Sequence, residues 1–102
     1  MNKYVCARPV HPGEVLKDEI EYRGISQSKL SDQMGIAYKM LNNILNERLP
    51  LTTTTAMMFE AALDVPADSL IRMQSEYNMQ VASRDTSFVE RLNNIRRVAA
   101  IL

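Results

Sequence analysis

Between Ile25 and Asn46 the apolar and polar positions follow the period of two short helices broken by a tight turn. Ser26 can cap the first helix, its hydroxyl accepting from an amide one turn later, and Leu30 and Met34 follow four residues apart on one face. Gly35 stands where a helix C-terminus needs a left-handed residue, and the apolar Ile36 after it is placed to plug the corner between the helices. From Tyr38 onward, Leu41, Ile44 and Leu45 fall on one helical face, while Tyr38, Lys39, Asn42, Asn43 and Asn46 fall on the other. One face packs; the other is left to touch a partner.

The flanking chain carries the same period. Pro9 and Pro12 bracket a turn-like start to a helix over about Gly13 to Arg23, with Val15, Leu16 and Ile20 inward and Gly24 closing it; His11 belongs to this start. Leu49-Pro50-Leu51 reads as an extended link whose leucines cover the core. Thr52 then caps a fourth helix with Ala56, Phe59 and Leu63 on its buried face and Met57 able to join them. Val65-Pro66 breaks the chain before a fifth helix that runs to near Ala82, with Leu70, Met73, Tyr77 and Val81 at helical spacing. After an interruption at Ser83-Arg84-Asp85, Thr86 or Ser87 can cap a last helix, Glu90 completing a capping box with Ser87. Along it Phe88, Leu92, Ile95, Ala99 and Leu102 form a narrow apolar stripe. The seven methionines, mostly on apolar faces, read as core filler. With no internal repeat and no β-rich stretch, the chain is expected to be all-α from His11 onward.

The polar face of the third helix holds side chains suited to a specific task. A side-chain amide bonds bidentately to the N6/N7 edge of adenine, a lysine reaches O6/N7 of guanine, and a helix fits the major groove. A solvated face is the plain alternative, but asparagine is a mediocre helix former, and Asn42, Asn43 and Asn46 crowd into five positions. The threonines at the start of the fourth helix cap it, and a helix N-terminus bearing hydroxyls is also a site for phosphate.

Composition narrows the class. The chain has 102 residues, enough for one core, with 46% hydrophobic and 24% charged positions. It shows neither a membrane-length apolar run nor a signal-peptide core, so a cytoplasmic location is expected. Cys6 is the only cysteine and His11 the only histidine, which rules out an internal disulfide and leaves too few ligands for a Cys/His metal site; no cofactor is expected. No nucleophile, paired-acid or metal constellation stands out, which argues against an enzyme. Twelve basic residues balance twelve acidic ones. Phosphate attraction normally shows as an excess of positive charge, so a single copy should bind DNA weakly and need a second.

The chain resembles antitoxins of the HigA type, a branch of the phage-repressor-like (XRE) helix-turn-helix superfamily. The resemblance spans roughly Arg8 to Met79. It is carried by His11-Pro12-Gly13-Glu14, Gly24-Ile25-Ser26-Gln27, Leu30, Gly35-Ile36, Asn46, Pro50-Leu51-Thr52, and Gln74 with Tyr77. Three positions depart from the family pattern: Ala37 replaces a capping Ser or Thr, Glu47 replaces the glycine after Asn46 and brings negative charge near the expected DNA surface, and Asp64 replaces the glycine ending helix four. The helix after Asp85 lies outside the match.

The resemblance implies a five-helix helix-turn-helix domain, placed over residues 12–83 after an arm at 1–11, and the periodicity of the chain adds a C-terminal helix within 84–102. It also implies that Gln27 meets a phosphate and steadies the recognition helix, that Tyr38, Lys39, Asn42 and Asn43 face bases, and that Asn46 and Thr52 lie beside the DNA backbone. The expected partners are a double-stranded operator, a second copy of the chain, and a toxin, usually an mRNA-cleaving ribonuclease, which the antitoxin holds inactive while repressing its own operon. The apolar stripe Phe88, Leu92, Ile95, Ala99 and Leu102 is the expected dimer seam, the alternative being a sixth core helix. Two other functions compete: a regulator of this superfamily without a toxin, and a helical interaction module that has lost DNA affinity.

Overall fold

In the computed structural model, which describes residues 8–101, six helices follow in order. They are α1 (Pro12–Arg23), α2 (Gln27–Met34), α3 (Tyr38–Leu45), α4 (Thr53–Leu63), α5 (Ala67–Ser83) and α6 (Thr86–Ile101), and the described residues contain no strand.

Most boundaries have the local cause the sequence suggests. His11 caps α1, its ring accepting from the Gly13 amide, and Pro12 fills the first turn where no donor is needed. Gly24 and Gly35 close α1 and α2 in the left-handed conformation, at φ 67° and 73°. Ser26 caps α2 through the Lys29 amide. Thr52 caps α4 in a reciprocal arrangement with Thr55, and Ala37 gives α3 no side-chain cap. At α6 the cap is Asp85, whose carboxylate accepts from the Phe88 amide at 3.1 Å, rather than Thr86 or Ser87. An aspartate one position earlier caps the first turn, and the helix begins at Thr86.

The core gathers around Phe59. Leu16 and Ile20 enter from α1, Leu30 from α2, Leu41, Ile44 and Leu45 from α3, Ala56 and Leu63 from α4, and Ala67 and Leu70 from α5, with Leu51 from the link. Ile36 packs against this cluster from the corner of the turn, as expected. Each fully buried leucine contributes roughly 1.5–3 kcal/mol relative to exposure, so the recognition helix is anchored by three of them or their equivalent. The approach of α1 to α3 is closer still: a Cβ on Gly13 would lie 2.0 Å from the Ile44 carbonyl oxygen.

Several apolar positions lie elsewhere than the helical period places them. Val15, Val81 and Leu49 are exposed, and Met57 is 58% exposed. Leu49 lies in the link and not on a helix face, and Val15, Met57 and Val81 lie outside the buried cluster. No described methionine is buried, so methionine is not the core filler here. Helix α6 contributes no buried residue among those described and packs chiefly against α5. It is therefore not a sixth core helix; the molecule measures 56 Å along its long axis against 31 and 21 Å. Leu102 and most of the arm at 1–11 lie outside the described residues.

Candidate nucleic-acid interface

The N-terminus of α2 and the outer face of α3 are joined by one hydrogen bond. Asn42 donates through Nδ2 to Gln27 Oε1 at 3.1 Å. The bond occupies the acceptor end of Gln27, so what this side chain can offer an anion is its Nε2 donor. Gln27 stands in the first turn of α2, where unsatisfied amides and the helix dipole also favour negative charge.

Tyr38 and Lys39 occupy the first turn of α3 and are exposed. Asn42 and Asn43, one turn on, are half-buried, and Asn43 Oδ1 lies 3.4 Å from Arg48 Nη1. Lys39, Asn42, Asn43 and Asn46 are three or four residues apart and share a face. Asn46 is engaged at both ends of its amide: Nδ2 donates to the Asn42 carbonyl at 2.8 Å, and Oδ1 accepts from Lys17 Nζ at 3.1 Å. It closes the C-terminus of α3 and ties it to α1. Thr52 is exposed at the start of α4; its amide donates to Thr55 Oγ1, and its hydroxyl accepts from the Thr55 amide. The amides of Thr53 and Thr54 precede the first intrahelical bond, from Ala56 to the Thr52 carbonyl.

The structure brings Gln27 to Asn42 and Asn42 to Asn46, while Phe88, Leu92, Ile95 and Ala99 stand apart on α6. Arg48 is a candidate that sequence reasoning missed. It is exposed in the link and beside Asn43, and its signal is that it is the one cation between α3 and α4.

Two charged features shape the surroundings. Arg8 and Glu14 form a bidentate ion pair, which holds the Glu14 carboxyl below its usual range. Glu47 adopts φ 65° and shares a cleft with Arg8, Glu14, Lys17 and Glu21, so its charge is set against the first turns of α1. Among the described residues no group of His, Cys, Asp or Glu is arranged to hold a metal, and no helix is long and apolar enough to cross a membrane.

No family model matches the chain. Among solved structures it is similar to antitoxin GraA, at 30% identity and a TM-score of 0.74, over 78% of this chain and 87% of that one. The chain belongs to the HigA-type antitoxin family. A second member, the Pseudomonas aeruginosa antitoxin HigA solved with the higBA promoter, aligns at 26% identity over 88% of this chain and 94% of its own, with a TM-score of 0.70. In sequence the chain is also 29% identical over 77 residues to virulence-associated protein I of Dichelobacter nodosus, which spans 74% of this chain and 71% of that protein. The expected HigA-type fold, all-helical with a helix-turn-helix and a further helix, is thus borne out.

Proposed function

We propose that this HigA-type protein is a sequence-specific DNA-binding antitoxin that acts in the cytoplasm as a homodimer, represses its own operon and holds an mRNA-cleaving ribonuclease toxin inactive. The observation that carries the DNA part is the bond between Gln27 and Asn42. It fixes a phosphate-seeking amide at the N-terminus of α2 against the outward face of α3, where Tyr38, Lys39 and Asn43 stand ready for base edges. The related Pseudomonas aeruginosa antitoxin HigA, solved with the higBA promoter, supports it. The dimer is supported by α6, which leaves Ile95 60% and Ile101 82% exposed and has no fully buried residue among those described.

Titration of the protein onto its own promoter at fixed salt tests the first part. Lys39→Ala or Asn43→Ala should cost about 1–3 kcal/mol and relax preference at one base pair per half-site, while Thr52→Ala should weaken all sequences alike. Unchanged affinity and preference in both α3 variants refute the interface. Truncation after Arg84 tests the second: a folded helical monomer with most operator affinity lost is expected, because two half-sites roughly 34 Å apart need two copies. A truncated chain that still sediments as a dimer refutes the role of α6. Co-expression with the neighbouring reading frame tests the toxin: rescue of growth supports it, and a harmless neighbour favours a plain regulator.

A further inference from the structure

The link between α3 and α4 is held from two sides by groups that do not themselves reach the proposed DNA face. Gln74, on α5 and only 5% exposed, accepts from the Leu51 amide through Oε1 at 2.8 Å and donates through Nε2 to Asn78 Oδ1 at 2.9 Å. His11 is buried, takes the Gly13 amide on Nδ1 at 2.9 Å, and bonds the backbone at Leu49. The Tyr77 ring meets it edge-on at 5.0 Å. Pro50 stands between the two held residues and brings no donor. Thr52 follows Leu51 directly.

We propose that Gln74 is a positioning residue for operator binding: by fixing Leu51 it sets where Thr52 and the N-terminus of α4 lie relative to the recognition helix. The role rests on the proposed reading of Thr52 as a contact beside phosphate. Without the Gln74 acceptor the buried Leu51 amide needs another partner, and the link moves to find one. Helix α3 itself stays seated through Leu41, Ile44 and Leu45, so Lys39 and Asn43 on its outer face keep their base preference while affinity falls for every sequence.

The test is an anisotropy titration of the full-length protein with its promoter duplex and with single-base variants, corrected for folded fraction by circular dichroism. Gln74→Leu should lose about tenfold in affinity on all duplexes. Adding Thr52→Ala to Gln74→Leu should weaken binding by less than about twofold more, since both changes remove one contact. Exposed Asn78→Ala, which leaves the core intact, should show a smaller loss with the same non-additivity, and it serves if Gln74→Leu unfolds. A folded Gln74→Leu that binds like wild type overturns the proposal, as do losses that multiply with Thr52→Ala. Wild-type protein that ignores the duplex overturns the operator reading itself, a distinct result.

Discussion

Replacing Gly13 with alanine should be among the most damaging single-methyl additions to this chain. The new Cβ would lie 2.0 Å from the Ile44 carbonyl oxygen, where ordinary contact begins at 3.4 Å, so α1 and α3 would have to separate by about 1.4 Å at this point. Neither side can give by rotating a side chain, because the obstacle is helix backbone and Ile44 is itself buried. Overpacking of this kind costs about 3 kcal/mol, the upper end of the usual range. Alanine's better helix propensity returns less than about 1 kcal/mol this close to the N-terminus. A net loss of about 2–3 kcal/mol is a large share of the ~5–15 kcal/mol that stabilises a domain. Urea unfolding followed by circular dichroism should then show the midpoint falling by about 0.7–3 M, given a slope of about 1–3 kcal/mol per M. Gly24→Ala and Gly35→Ala make useful controls: a Cβ there meets nothing within 4 Å, and the cost is only the left-handed backbone, about 1 kcal/mol. A Gly13→Ala midpoint within about 0.3 M of wild type would refute the close approach of α1 to α3.

Glu47 and Asp64 occupy φ 65° and 59°, and Glu47→Gly or Asp64→Gly should each stabilise by up to about 1 kcal/mol, read as a rise in Tm of several degrees. Glu47→Gln, which removes the charge and keeps the strained backbone, should leave Tm within about 2 °C of wild type; an equal gain from Gln would mean that charge and not backbone is the cause. Burial holds the His11 imidazole below its ordinary 6.5, helped by Nδ1 accepting from Gly13, which a protonated ring cannot do. The unfolded chain therefore takes up the proton first as pH falls, and stability is full above about pH 6.5 and declines below it until the folded form also protonates. Urea midpoints between pH 8 and 5 should fall for wild type and stay nearly flat for His11→Asn, which keeps a capping side chain; identical profiles would rule out His11 as the titrating group.

Caps and periodicity carried the fold because they are local. Ser26, Gly35, Thr52 and Gly24 act within one turn of where they stand, and Leu41, Ile44 and Leu45 repeat on one face whatever they pack against. Val15, Met57 and Val81 have the same spacing, but whether a stripe-edge position is covered depends on how neighbouring helices diverge. The polar pairs leave no local mark for a related reason, and only resemblance points to Gln27 as a support for α3. Gln27 to Asn42, Leu51 to Gln74 and Lys17 to Asn46 are 15, 23 and 29 residues apart, and no pattern along the chain marks them. Asn46, read from resemblance as a residue beside the DNA backbone, has both ends of its amide engaged within the protein. Glu47 drew notice for its charge, whereas its backbone is the rarer feature.

Because α6 contributes none of the described residues to the buried cluster, it can open while Phe59 and its neighbours stay packed. Sixteen residues is a length at which a lone helix is marginal in water, so what holds α6 is its contact with α5 and whatever covers its outer stripe. Its amide protons should exchange with solvent far sooner than those near Leu41 and Ile44, and a protease should nick there first. A second molecule lying along the stripe slows both processes, so the survival of an intact C-terminus becomes a function of how much of the protein is present.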